Sequence, residues 1–437
     1  MEKWEDKIKQ HVNQTPPDEL TNRINSTLQQ LPARRRPYHK FYFTAIASIS
    51  AFILLLAASL ISPVVADTMR SVPIIGSVFE KVGSIGVQRG NEQGLTTLLG
   101  DQVKIEKHLF TFTESLYDGS EIHVGYIIES LDPTNSVAHL SLPLDLNLTI
   151  NGKRIGSYGM GERGELLENG NYVGTISIRF RDEVPDSFLL GISPRQGRRW
   201  KVELPIELQG KSKSFLVNET RETVDMLTHY DKVTFFPTTT EITFRQITDI
   251  PSIDDEDPYM FMEYMIVDNE GRVLQPFGSG GSGSAQGDKF VNAYKYNFEP
   301  FEEIPESITL KPFISPFRTE TDSGVRGKWE GNELTLSQGE MGTMTILSIE
   351  EVDGTITVKY EVEGLHLYEQ SIALLLEDSS GNRFDSDIRP PNRLEGTINQ
   401  YEAVFTPNQK LDELYFVTFK KDAPEFIKEL EITIEFN

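Results

Sequence analysis

Cysteine is absent from all 437 residues. Its absence excludes disulfides, thiolate chemistry and any Cys-based zinc site. Histidine occurs seven times, and no two histidines have the HExxH or HxH spacing that would set two ligands on one metal. His123 falls in a strand pattern and reads as a half-exposed sheet position. The G-x-S-x-G elbow, the S-x-x-K pair and the Walker loop are missing as well. The chain is therefore expected to be no enzyme and to carry no cofactor. Positive charge is also scarce: 42 Lys and Arg stand against 66 Asp and Glu, a net charge of −24. Residues 1–40 are net +3, which leaves −27 for the remainder. So acidic a body is repelled by nucleic acid, which is excluded as a partner.

What is present belongs to a folded chain, with 38% hydrophobic and 25% charged residues. The length suits two to four domains. From Phe41 to Ala66 no residue is charged. The dense part of that run matches the roughly 20 residues a helix needs to cross hydrocarbon. Arg34, Arg35, Arg36 and Lys40 precede it and Asp67 is the first charge after it. The positive-inside rule then makes these four residues the topology determinants. It predicts a single-pass membrane protein with residues 1–40 cytoplasmic, a transmembrane helix at 41–63 and an extracellular C-terminus. The small residues Val64 and Ala66 leave cleavage near Ala66 open as an alternative. The preceding 40 residues are long for a signal-peptide n-region, and this favours an uncleaved anchor.

The cytoplasmic segment has its own pattern. Trp4, Ile8 and Val12 are at helical spacing. Thr15 is a candidate N-cap, Pro16 and Pro17 suit a first turn, and Pro32 stops the helix. Between them Leu20, Ile24 and Leu28 form an i, i+4, i+8 stripe. Forty residues cannot bury such a stripe alone. It is the candidate partner-binding face, in helix-in-groove fashion, with the inner leaflet as the alternative occupant. After Pro73, Ile75, Val78, Phe79 and Val82 make a second one-sided stripe within a juxtamembrane stem, 64–99. That face is expected to pack on the first β domain.

Beyond residue 100 the grammar is β. Runs such as EIHVGYIIES, TITVKYEV and ELEITIEF alternate polar with apolar or β-branched residues between Gly, Asn, Asp and Pro. Two landmarks recur together. The turn glycines Gly152, Gly271 and Gly381 are 119 and 110 residues apart, and Phe180, Phe298 and Phe405 are 118 and 107 apart. The implied unit of about 110 residues is the size of an immunoglobulin-like sandwich. Three tandem sandwiches are expected at 100–211, 212–330 and 331–437. The Gly/Ser-rich stretch 277–288 reads as a flexible hairpin excursion within the second. Two acidic clusters, Asp254–Asp257 and Glu377–Asp387, could offer oxygen ligands to Ca²⁺, but neither has EF-hand spacing. No metal site is expected.

The motif order also resembles a known family. A basic stretch, one membrane helix and a Pro/Ala segment are followed by Pro73-Ile74-Ile75-Gly76-Ser77-Val78-Phe79. A β domain then opens on a Tyr117-Asp118-Gly119 turn. Across roughly residues 34–130 this resembles a domain-of-unknown-function family of Gram-positive bacteria whose members resemble membrane-bound anti-sigma factors. The downstream repeats look like the immunoglobulin-like domains often found C-terminal in such proteins. The resemblance implies an extracytoplasmic-function sigma factor as partner of the Leu20/Ile24/Leu28 helix, and no catalytic residues. The zinc motif usual in anti-sigma factors, a His followed by Cys-x-x-Cys, is absent. A structural or adhesive surface protein with sandwich spacers is the alternative function.

Overall fold

The computed structural model describes residues 77–437, apart from 133–136, 138–145, 181–183, 196–199, 251–258, 260, 316–323, 389 and 437. The chain divides into two units, 1–71 and 72–437, and all described residues belong to the second. The apolar run at 41–63, the stripe Leu20, Ile24 and Leu28, the cluster Arg34–Arg36 with Lys40, and Ile75 lie outside the described residues. Among those described, no helix is long and apolar enough to cross a membrane.

The described chain is mainly β, with six sheets arranged around three separate hydrophobic cores. Sheet A runs in the order Thr97–Leu98, His108–Tyr117, Ile122–Ser130, Tyr172–Phe180, Tyr158–Leu166, with Gln102–Ile105 also on the second of these. Sheet B joins Val202–Glu207, Ser187–Pro194, Leu146–Ile150 and Lys153–Arg154. Ile122, Val124, Tyr126 and Ile128 point from sheet A into the core shared with sheet B. Their alternation in IHVGYIIES is the period-2 signal that made this strand legible.

Sheet C joins Lys213–Glu222, Met226–Phe235, Thr240–Asp249, Lys289–Phe298 and Pro276–Gln286. Residues 277–286, expected as a flexible excursion, are instead most of an ordered edge strand. The ring of Tyr294 lies over Gly281 and that of Phe290 over Gly283, where a Cβ would come within 2.7 and 2.6 Å of them. Cross-strand aromatics thus occupy the space that side chains would fill, and the glycines are required for that packing. Sheet F holds Leu334–Ser337, Gly342–Val352, Thr355–Gly364, Gln400–Phe405 and Asn392–Arg393. Sheet E holds Gly324–Gly327, Leu414–Phe419, Leu375–Asp378 and Arg383–Phe384.

Sheet D corrects the boundary expected at the C-terminus. Met262–Asp268 and Ser307–Ile314 are completed by Glu425–Phe426 and Ile432–Glu435. The end of the chain therefore returns to the second sandwich, where Ile427, Leu430, Ile432, Ile434 and Phe436 fill the core. Tyr230 donates to the Leu430 carbonyl at 2.7 Å. The third sandwich spans 324–419, not 331–437. Lys213–Glu222, at the start of the expected second sandwich, pairs with Met226–Phe235. The repeat landmarks fall at matching places. Gly152, Gly271 and Gly381 all have φ between 78° and 88° in the turns of sheets B, D and E. Phe180, Phe298 and Phe405 are buried at the ends of strands in sheets A, C and F.

Candidate functional site at the junction of stem and sandwiches

Two short helices precede the first sandwich, α1 (Val78–Val82) and α2 (Ile85–Glu92). The described part of the predicted stripe is buried: Val78 and Val82 pack on Ile127 and Val173, and Phe79 packs with Val87 and Leu116. Sheet A is therefore covered on both faces, by its core and by the stem. A β-bulge makes this possible. Register shifts between Phe112 and Glu114 against the neighbouring strand. One extra residue moves Glu114 and Leu116 to the stem side, whereas Phe110 and Phe112 point to the core.

Glu114 then holds the start of α1. Its carboxylate accepts from Ser77 Oγ at 2.9 and 3.1 Å and from the Phe79 N–H at 2.8 Å. Burial pushes the carboxyl pKa up, opposed by the Phe79 and Ser77 hydrogen bonds. Helix α2 is seated by its glycines. A Cβ at Gly86 would overlap the Thr238 carbonyl, and one at Gly90 would meet Leu116 Cδ1 at 2.6 Å and Thr238 Cγ2 at 3.1 Å. Arg89 donates to the Pro300 carbonyl at 2.8 Å and pairs with Glu302 at 3.1 Å. The stem is thus packed against the first and second sandwiches together.

Between those sandwiches the contact is made by the Tyr117-Asp118-Gly119 turn. Asp118 is buried and accepts from Thr238 N–H at 2.9 Å and Thr238 Oγ1 at 2.7 Å. It also accepts from Ser120 N–H at 3.1 Å and Ser120 Oγ at 2.6 Å. Gly119, at φ 99°, brings the turn against the Phe236 ring. Nearby, Glu121 accepts from Arg179 Nε at 2.6 Å and from Asn297 of the second sandwich at 3.0 Å. Burial raises the Glu121 pKa, but the Arg179 guanidinium and His123 outweigh it and hold the carboxylate below its ordinary range.

His123 is not the half-exposed position expected from its strand; it is 5% exposed and shares a 2.8 Å hydrogen bond with Ser177 Oγ. Burial lowers its pKa against the pull of Glu121. The third sandwich closes on the second through Arg393, which donates to the Val273 carbonyl at 2.8 Å and pairs with Glu299 at 2.9 Å. Met265, Val273 and Phe313 meet Leu367 and Tyr368 beside it.

These contacts frame a cleft of about 830 Å³. The stem connection Val82–Gln88, the stem-side face and last strand of sheet A, Pro276 and Phe277, and the third sandwich around Tyr368 and Pro390–Pro391 border it. Glu121, His123, Ser177 and Arg179 lie along its floor.

Of the acidic clusters, Asp254–Asp257 lies outside the described residues. In the other, Asp378 is taken up by Ser380 N–H, Asn382 N–H and Asn382 Nδ2, and Glu377 by Arg383 and Arg326. Among the described residues no group of three His, Asp or Glu could hold a metal ion. The sequence reading missed Asp118–Thr238 and the seat of α2. The i, i+4 glycines in IGVQRGNE were the available signal for the second.

A domain of unknown function (DUF4179) matches residues 37–130, and a family of unknown function (DUF5643) matches residues 212–338. The first match runs through the stem helices to strand Ile122–Ser130; the second takes in the Thr238 hairpin. Asp118–Thr238 and Gly86–Thr238 join the two matched regions. No curated protein matches the chain. The crystal structure of a conserved domain protein from Bacillus anthracis aligns at 15% identity, covering 84% of this chain and 100% of that one, with a TM-score of 0.43. A marsupial T cell receptor aligns at 8% identity, covering 77% and 100%, with a TM-score of 0.13. Both are distant likenesses.

Proposed function

We propose that the chain is a single-pass membrane signalling protein of the anti-sigma-factor kind. In this reading residues 1–40 are cytoplasmic, 41–63 cross the bilayer, and three immunoglobulin-like sandwiches form an extracellular sensing body. The observation that carries the reading is the DUF4179 match over 37–130. It takes in Lys40 and the apolar run together with a stem whose helices are wedged between two sandwiches. A stem held by Glu114 and Thr238 cannot stay fixed if the sandwiches shift against each other, so their arrangement has a mechanical outlet toward the membrane segment. The Leu20/Ile24/Leu28 face is the cytoplasmic end of that route, with an extracytoplasmic-function sigma factor as its partner.

The test is capture from solubilised membranes with residues 1–40 as bait. A sigma factor is expected, and is expected to be lost with Leu20→Asp/Ile24→Asp. Recovery of none overturns the reading. Deleting residues 1–31 while keeping the Arg cluster should change gene expression; unchanged expression favours the adhesive surface role instead.

A further inference from the structure

We propose that the cleft binds an extended peptide, which adds as a further strand to the free edge of Tyr158–Leu166. That strand is the last of sheet A, and among the described residues it pairs with Tyr172–Phe180 alone. Five consecutive residues, Gly159 to Arg163, border the cleft. Its outer edge, a row of backbone N–H and C=O groups unpaired among the described residues, lies beside the open volume.

The third sandwich lines the cleft mainly with apolar residues; beside Asn392, its Ser371 and Ser386 hydroxyls already donate to the Tyr368 and Ile388 carbonyls. Pro390 and Pro391 stand there with Tyr368, Ile372 and Ile388. Proline has no N–H to offer, and the other three supply mainly apolar surface. The floor beside the edge is cleared for a ligand. Gly159, Gly161 and Arg163 pair in register with Arg179, Ser177 and Thr175 on the stem-side face. Among the described residues, a Cβ at Gly161 would meet nothing within 4 Å, and Thr175, 4% exposed at the cleft floor, has no hydrogen-bond partner for its Oγ1.

A row of amides at strand spacing is complemented by another strand, and by little else. The volume lies within the range of about 300–1,000 Å³ typical of ligand pockets. Recognition is through the main chain, with small or hydroxyl side chains on the floor side and apolar ones toward the proline wall. Among the described residues the other long edge strands, Lys213–Glu222 and Pro276–Gln286, are largely exposed, and neither runs along this cleft beyond Pro276 and Phe277. The bound strand would lie against the Val82–Gln88 connection of the stem. The site binds whether or not residues 1–40 hold a sigma factor, so the two readings fail separately.

The experiment uses the full chain in detergent micelles and the probe N-acetyl-Thr-Val-Thr-Val-Thr-amide. Bound peptide should slow amide exchange across residues 158–163. The same peptide N-methylated at alternate amides, with unchanged side chains, should bind about tenfold or more weakly, as expected for lost main-chain hydrogen bonds. Gly161→Tyr fills open space, so it should keep the melting temperature and weaken the probe to a similar extent. Unchanged exchange at 158–163, equal binding of the N-methylated peptide, or full binding by a folded Gly161→Tyr protein would each overturn the proposal.

Discussion

The Asp118 carboxylate receives both the backbone N–H and the hydroxyl of Thr238, 120 residues away, at 2.9 and 2.7 Å. One turn of the first sandwich is thereby tied to one hairpin of the second. Asp118→Ala leaves the buried Thr238 N–H without its acceptor and should cost about 1–3 kcal/mol. In a double-mutant cycle with Thr238→Ala, denaturant unfolding should show a coupling of about 0.5–3 kcal/mol. Strict additivity would mean that the contact does not join the sandwiches energetically.

Gly86→Ala sets two effects against each other. In a free helix the change would stabilise by about 1 kcal/mol. Here the added methyl overlaps the Thr238 carbonyl, a backbone atom that cannot swing aside. The clash should win, with a net loss of about 1–3 kcal/mol. Faster hydrogen exchange at residues 78–92 is the local readout, and a rise in stability would show that α2 is not seated on Thr238.

His366 predicts an acid-sensitive interface between the second and third sandwiches. It caps α3 (Leu367–Ser371) by accepting from the Glu369 N–H at 3.3 Å, and packs edge-on against Phe313 at 5.2 Å. Burial, with Lys421 nearby and against the pull of Glu369, pushes its pKa down to about 4. Above pH 6.5 the ring is neutral in the folded and the unfolded chain, and the contact contributes fully. As pH falls from 6.5 toward 4 the unfolded chain takes up a proton that the folded one refuses. About 3 kcal/mol is lost over that window. Urea midpoints measured from pH 7 to pH 4 should fall, and His366→Gln should flatten the slope, leaving the part of the same sign due to His123.

Arg393 and Glu299 form a largely buried pair across the second and third sandwiches. Arg393→Ala strands the carboxylate and should cost about 3–5 kcal/mol, more than exposed pairs such as Lys201–Glu203 are worth. Calorimetry is the check. A loss below about 1 kcal/mol would mean that water already reaches Glu299.

Much of the fold was legible because strands write their burial into alternate residues. Ile122, Val124, Tyr126 and Ile128 announced a core face, and Val78, Phe79 and Val82 a helix needing cover. The paired landmarks at Gly152, Gly271, Gly381 and Phe180, Phe298, Phe405 marked equivalent turns and strand ends. His123 was misjudged because period-2 reading assigns one face to solvent, whereas the stem and the second sandwich close around that face.

Local order along the chain was thus set by side-chain periodicity, turn glycines and composition, which act over a few residues and need no partner. Tertiary structure alone decided that residues 425–435 cross back to Ser307–Ile314, that a bulge at Thr113 turns Glu114 toward α1, and that Asp118 finds Thr238. Each of these joins groups distant in sequence or re-aims a side chain by one residue. Their energy comes from burial and hydrogen bonding that exist only once the sandwiches have packed.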